Sequence, residues 1–163
     1  MGKILKLISG GADLVIGPCD GSAVIAKSWG TICHVPPDSR LWQDNGRATG
    51  ETKVAVYEMV QYATLDQMFR ELGGDDLANV CLTQAQIIEF CKKYKEWVAK
   101  DGYQTFFLVA SNDPSLPFFI VCTHMYHGTR RYMGGGSIGV HVFDFGHYVW
   151  RAYLRRVVVP LIP

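Results

Sequence analysis

The chain has 163 residues, of which 48% are hydrophobic and 19% are charged, and its formal net charge is +1. This length suits a single domain with a sizeable core, and no stretch approaches the ~18 consecutive apolar residues of a membrane span. The small net charge implies no strong electrostatic partner for the chain as a whole. From length, composition and charge together we expect a soluble, cytoplasmic protein with one domain over residues 1–163 and no membrane partner.

The cysteine count and the charge distribution add two constraints. The five cysteines are an odd number and form no C-x-x-C pair, which predicts buried, reduced thiols rather than a disulfide framework. Residues 1–101 contain 11 Lys or Arg and 13 Asp or Glu, whereas residues 102–163 contain 5 Arg and 2 Asp. The basic excess of the last third is therefore entirely arginine, a residue type suited to stacking and bidentate contacts.

Residues 1–52 predict a β- and loop-rich N-terminal segment. The runs KILKLI and SAVIAKSWGTICHV have the composition of strands, and turn sequences rich in Gly, Pro and Asp separate them. The run PPDSRLWQDNGRATGE is typical of a loop. After it, the alternating and β-branched sequence KVAVYEMV predicts a strand from Lys53 to Val60.

Two amphipathic helices follow this strand. In TLDQMFREL, Thr64 and Gln67 have the spacing of a capping box, which predicts a short helix. In LTQAQIIEFCKKYKEWVAKDG, Thr83 and Gln86 have the same spacing, and the predicted helix extends to about Lys100. Its broad apolar stripe predicts that it covers a sheet.

The last third of the chain predicts that sheet. The four strand-like runs YQTFFLVAS, PFFIVCTHMY, SIGVHVFDF and HYVWRAYLRRVVVP indicate an antiparallel meander. Alternation in the last run places Tyr148 and Trp150 on the core face, where Trp97 of the long helix should meet Trp150. The predicted fold is α+β, with a meander covered by an amphipathic helix in residues 53–163 and a further β-rich segment in residues 1–52.

Three short motifs carry a family resemblance. They are the helix LTQAQIIEFC, the strand GYQTFFL and the tail RVVVP. In these motifs the chain from Lys53 to Pro163 resembles a group of small bacterial proteins that share an LTxxQIIxFC helix, a GYxTFFL strand and an RVVVP tail. The resemblance implies a common domain, and it implies no activity, cofactor or partner.

The segment from Cys122 to His147 contains four of the five histidines. A hairpin in this segment would place His124 roughly opposite His141, with Cys122 on the same face, and sulfur and imidazole nitrogen are zinc ligands. The strong zinc motifs, paired C-x-x-C and H-E-x-x-H, are absent. We therefore predict no metal and no cofactor, and Cys122, His124 and His141 are the candidate ligands in case a metal binds.

The same segment offers groups for a small enzyme. Asp144 could orient His141 or His147, and Cys122 or Ser137 could act as a nucleophile, provided that these groups lie within hydrogen-bonding distance. The glycine-rich run GGGSIG lacks the lysine and the following helix of a phosphate-binding loop. We assign no catalytic residue and favour a noncatalytic function, with a small enzyme as an alternative.

Arginine and tyrosine provide the clearest functional signal. Arg130, Arg131 and Tyr132 lie in a predicted loop, and Arg151 and Tyr153 share one face of the last predicted strand. These residue types carry binding energy at protein interfaces, so the sequence predicts a protein-interaction module with an unknown protein partner. Single-stranded nucleic acid is the alternative partner, because arginine can contact phosphate and tyrosine can stack on bases.

Overall fold

The computed structural model describes residues 2–28, 30–43, 47–100, 103–126, 137–146, 148–152 and 155–161. The strands are β1 (Leu5–Leu7), β2 (Val15–Ile16), β3 (Ile32–His34), β4 (Thr52–Met59), β5 (Ala63–Thr64), β6 (Thr105–Ala110), β7 (Phe118–Tyr126), β8 (Ser137–Asp144), β9 (Val149–Trp150) and β10 (Arg156–Pro160). The α-helices are α1 (Leu65–Gly73) and α2 (Gln84–Lys93).

Eight of these strands form one mixed sheet. Its order is β1-β4-β10-β6-β7-β8-β3, and β2 also pairs with β4. The pairs β10 with β6 and β3 with β8 are parallel, whereas β4, β6, β7 and β8 make their longest pairings in the antiparallel sense. Strands β5 and β9 form a separate two-stranded sheet. The predicted α+β class is confirmed.

The C-terminal strand lies at the centre of the sheet rather than at the end of a meander. The meander consists of β6, β7 and β8, and β10 lies between β4 and β6. The predicted single strand over residues 147–160 is divided into β9 and β10. Val157 and Val158 are buried on opposite faces of the sheet, and a continuous apolar run such as VVV suits a strand that is covered on both faces.

Helices cover both faces of the sheet. On one face α2 packs against side chains that include Phe107 and Val121. On the other face α1 packs against side chains that include Phe106 and Ile120. Trp97 is half-buried beside the first cluster, and Trp150 belongs to the second. The prediction that these two tryptophans meet across one interface is therefore wrong, because the sheet separates them.

The two predicted helix starts are confirmed, but α2 ends earlier than predicted. Both helices begin with a complete capping box. Helix α2 ends at Lys93 instead of continuing to about Lys100, because Tyr94 leaves the helical conformation, with φ −125° and ψ 44°. The Tyr94 hydroxyl accepts a hydrogen bond from Val15 N at 2.7 Å and donates one to Val15 O at 2.9 Å. A 3₁₀ turn follows at Lys95–Trp97.

The N-terminal segment is tied to the same core. Within the predicted strand SAVIAKSWGTICHV, a 3₁₀ turn forms at Ile25–Lys27 and only the last part forms β3. Gln84 of α2 accepts a hydrogen bond from Ile25 N at 2.9 Å through its Oε1. No helix among the described residues combines the length and the apolar character needed to cross a membrane.

Candidate functional site

The predicted arginine and tyrosine surface is only partly described. Arg151 lies directly after β9 and is exposed, and its backbone carbonyl accepts a hydrogen bond of 2.6 Å from the Arg155 guanidinium. The other predicted members, Arg130, Arg131, Tyr132 and Tyr153, lie outside the described residues. Of the five residues predicted for this surface, Arg151 is thus the one whose position in the fold is described.

The candidate metal ligands lie on neighbouring strands, in a different register from the predicted one. Cys122 of β7 pairs with His141 of β8, and His124 pairs with Gly139. His124 therefore lies two residues along β7 from Cys122, which occupies the position opposite His141 where the hairpin prediction placed His124. The two imidazole rings nevertheless contact each other diagonally, with centroids 4.9 Å apart and planes inclined by 15°.

Burial determines the protonation of these candidates. Cys122 is fully buried, and this burial raises the pKa of its thiol. His124 is 7% exposed, and its pKa is lowered by burial first and then by His141 and His34. Metal ligation by cysteine requires the thiolate. Within the described parts of the chain, no group of three or more His, Cys, Asp or Glu side chains is arranged to hold a metal ion.

Three of the groups considered for catalysis are ion-paired, buried or outside the described residues. The Asp144 carboxylate accepts a hydrogen bond of 2.6 Å from Arg40. Burial raises the pKa of Cys81 and of Cys91 to about 12 and also raises the pKa of Cys122, so these thiols are protonated at neutral pH. His147 lies outside the described residues.

An open groove lies where β8 ends and β9 begins. We call it the aromatic groove, and its volume is about 510 Å³. This volume falls in the range of ligand-binding pockets. Its lining residues are Leu65, Phe143, Asp144, Gly146, Tyr148 and Trp150.

Strand pairing creates this groove. Ala63 pairs with Trp150 and Thr64 pairs with Val149 in the two-stranded sheet. This antiparallel pairing brings the start of α1, at Leu65, to the side of Tyr148. Phe143 and Asp144 reach the same place from the end of β8.

Trp150 is the centre of an aromatic cluster. Its ring centroid lies 4.9 Å from that of Phe106, 5.3 Å from that of Phe143 and 5.3 Å from that of Tyr148. The interplanar angles are 62°, 76° and 63°, so the rings meet edge to face, a favourable arrangement. Phe106 is fully buried and Trp150 is 8% exposed, whereas Tyr148 is 73% exposed. The cluster thus extends from the core to the surface.

Charged groups lie at the borders of the aromatic groove. Arg40 donates hydrogen bonds to Asp38 and to Asp144, which raise the pKa of the guanidinium, and the same pairing lowers the pKa of Asp38. Arg155 places its guanidinium 5.4 Å from the centroid of the Trp150 ring. Its Nε also donates to Gln104 Oε1 at 3.1 Å.

Sequence reasoning missed the aromatic groove. Alternation placed Tyr148 with Trp150 in the core, but β9 is two residues long and Tyr148 precedes it. The available signal was the density of aromatic residues between Phe143 and Trp150, which exceeds what one face of a short strand can bury.

No protein-family model matches the chain, and no curated protein or solved structure matches it at a significant level.

Proposed function

We propose that the protein is a noncatalytic protein-interaction module that binds its partner in the aromatic groove. The observation that carries this proposal is the exposure of Tyr148, which is 73% exposed although its ring packs against the buried Trp150. A tyrosine held by a rigid neighbour gives a large contact area at a small cost in side-chain entropy. Aromatic and arginine side chains of this kind dominate binding energy at interfaces.

Arg151 extends the proposed surface beyond the aromatic groove. It is exposed, follows Trp150 directly and makes no ion pair with the described residues. The predicted contributions of Arg130, Arg131, Tyr132 and Tyr153 remain part of the proposal.

The charge of the aromatic groove favours a protein partner over nucleic acid. Asp144 is the charged residue that lines it, and its side chain is 69% exposed. The described lining residues include no lysine or arginine that could contact a phosphate, whereas the apolar side chains suit a peptide.

The proposed setting is the cytoplasm. Cys81, Cys91 and Cys122 are buried free cysteines, and reduced thiols are typical of a reducing compartment.

Selection from a random peptide library tests the proposal. Peptides that bind the wild-type protein are measured again with Tyr148→Ala, and we expect a loss of affinity of at least about tenfold, as for an interface hot spot. The matched control is Tyr62→Ala, because Tyr62 is 64% exposed and does not line the aromatic groove. Circular dichroism of both variants verifies the fold.

Two outcomes would contradict the proposal. Peptide affinities that stay unchanged in Tyr148→Ala would remove the aromatic groove from the binding surface. Binding of single-stranded RNA that depends on Tyr148 and weakens steeply with salt, without peptide binding, would favour the nucleic-acid alternative.

A further inference from the structure

We infer that a second site of the protein binds phosphate, either as the free ion or as the phosphate group of a small molecule. The site is a partly enclosed cavity of about 150 Å³, which we call the Arg47 cavity. It shares no lining residue with the aromatic groove, so the inference goes beyond the proposed function and does not depend on it. Its lining residues include Arg47, Cys81, Thr83, Ala110, Ser111 and Asn112.

The Arg47 cavity lies where three segments of the chain meet. Strand β6 ends at Ala110, which lines the cavity. The segment that precedes α2 is fixed beside this strand, because Cys81 forms a parallel bridge with Leu108. Helix α2 begins directly after its N-cap Thr83, and the N-terminal end of a helix carries a partial positive charge. Arg47 completes the lining from the third segment.

The backbone of Arg47 is held in place by the N-terminal segment. Gly21 has φ +85°, and a Cβ at this position would lie 2.5 Å from the Arg47 carbonyl oxygen. Cys19 and Thr49 exchange two backbone hydrogen bonds, of 3.0 and 2.8 Å. The two segments therefore pack too closely for a side chain at Gly21. An arginine with a fixed backbone loses less conformational entropy when it binds a ligand.

The charge at the Arg47 cavity is positive. Arg47 is the charged residue among those that line it, and it makes no ion pair with the described residues. Burial raises the pKa of the Cys81 thiol to about 12, and Arg47 lowers this pKa by more than Asp76 raises it. The thiol is therefore neutral at neutral pH. Asp76 does not line the cavity, and its carboxylate accepts hydrogen bonds from Ala78 N and Asn79 Nδ2.

Ser111 and Asn112 supply neutral hydrogen-bond donors to the same cavity. Ser111 Oγ accepts a hydrogen bond from Asp113 N at 3.0 Å, which leaves the hydroxyl hydrogen available to donate. The Asp113 carboxylate does not line the cavity and accepts hydrogen bonds from Ser115 N and Oγ at 2.9 and 2.7 Å. A guanidinium next to hydroxyl and amide groups, with no lining carboxylate among the described residues, favours an oxyanion.

The size of the Arg47 cavity suits a phosphate group. Its volume of about 150 Å³ is roughly five times the ~30 Å³ that one water occupies in the liquid, which gives room for a group of about five heavy atoms such as phosphate. It is smaller than the ~300–1,000 Å³ of pockets that enclose drug-sized ligands. A guanidinium can donate to two phosphate oxygens at once, and hydroxyl and amide groups can donate to the others.

Titration of the full chain with inorganic phosphate, followed by two-dimensional NMR, tests the inference. We expect chemical-shift changes at the backbone amides of Thr83, Ser111 and Asn112 that saturate in the millimolar range. Sodium chloride at the same ionic strength should not reproduce them. A parallel titration with glycerol 3-phosphate distinguishes the two sources of the group. Affinity at least equal to that of inorganic phosphate assigns the site to a phosphorylated small molecule, and weaker affinity assigns it to the free ion.

Two variants separate a defined site from general attraction by charge. Arg47→Gln removes the guanidinium from an exposed residue and should weaken phosphate binding at least about tenfold. Lys27→Gln is the matched control, because it removes the same charge from an exposed residue that makes no ion pair with the described residues and does not line the cavity. It should leave phosphate binding unchanged. Circular dichroism of both variants verifies the fold.

Three outcomes would overturn the inference. They are the absence of shifts at the cavity residues up to tens of millimolar phosphate, shifts that sodium chloride reproduces, and an affinity for phosphate that Arg47→Gln leaves unchanged or that Lys27→Gln lowers equally. In each case peptide binding that needs Tyr148 would leave the proposed function intact, because Tyr148 does not line the Arg47 cavity.

Discussion

His124 and Cys122 project from the same face of β7, and burial favours the neutral form of both side chains. His124 stacks on His141, and this neighbour also lowers the pKa of His124. The sequence identified these residues correctly as neighbours. It misplaced their register, because the position at which a hairpin turns cannot be read from a glycine-rich segment.

The stability of the protein should decrease as the pH falls through the titration range of His124. Its pKa is lower in the folded protein than the ordinary value of about 6.5, so the unfolded chain binds the proton more readily. The contribution of His124 is thus fully present above about pH 6.5 and declines from there towards its lower folded pKa. Urea unfolding between pH 5 and pH 8 measures this dependence.

The variant His124→Gln isolates the effect. It removes the titrating group, so the stability of the variant should vary less with pH than that of the wild type over the same window. An identical pH dependence in the wild type and in His124→Gln would contradict this prediction, because it would show that His124 has the same pKa in the folded and the unfolded protein.

At the scale of elements, features with local causes were predicted well. Both capping boxes, the strand β4 and the strands of the β6 to β8 meander follow from spacing and alternation within a few residues. The end of α2 and the position of β10 depend on partners far away in the chain, such as Val15 for Tyr94. The aromatic groove also depends on partners that are far apart in the chain, since the pairing of β5 with β9 forms it.

The capping box of α2 should contribute more to the free energy of unfolding than the capping box of α1. Thr83 is buried and shares its hydrogen bonds with Gln86, whereas the equivalent bonds of Thr64 and Gln67 are exposed. Thr83→Ala leaves a buried amide without its acceptor and should lower the free energy of unfolding by about 2 kcal/mol, against about 1 kcal/mol or less for Thr64→Ala. Chemical denaturation measures both, and an equal or larger loss in Thr64→Ala would contradict this ranking.

At the scale of the whole molecule, β10 joins two halves of the sheet. It pairs with β4 over Arg156 to Pro160 and with β6 at Arg156 and Val157. Its side chains enter both hydrophobic clusters, Val157 on the face of α1 and Val158 on the face of α2. The two halves are therefore expected to unfold together.

Substitutions on either face of β10 should have similar consequences. Val157→Ala and Val158→Ala each replace a fully buried isopropyl group by a methyl group and should cost about 2 kcal/mol, with a single cooperative transition. Val149→Ala is the control, since Val149 is 58% exposed in β9, and it should change the stability by less than about 0.5 kcal/mol. A second transition in either β10 variant would indicate that one half of the sheet is stable alone.

The place of β10 also affects how the sheet is assembled during translation. Residues 156–160 leave the ribosome after every other strand of the eight-stranded sheet. Until then β4 and β6 each present an open edge to the nascent chain's surroundings, and open edges readily pair with other chains. Holdase chaperones that shield such edges should therefore matter most to this protein in the interval before its valine-rich strand emerges.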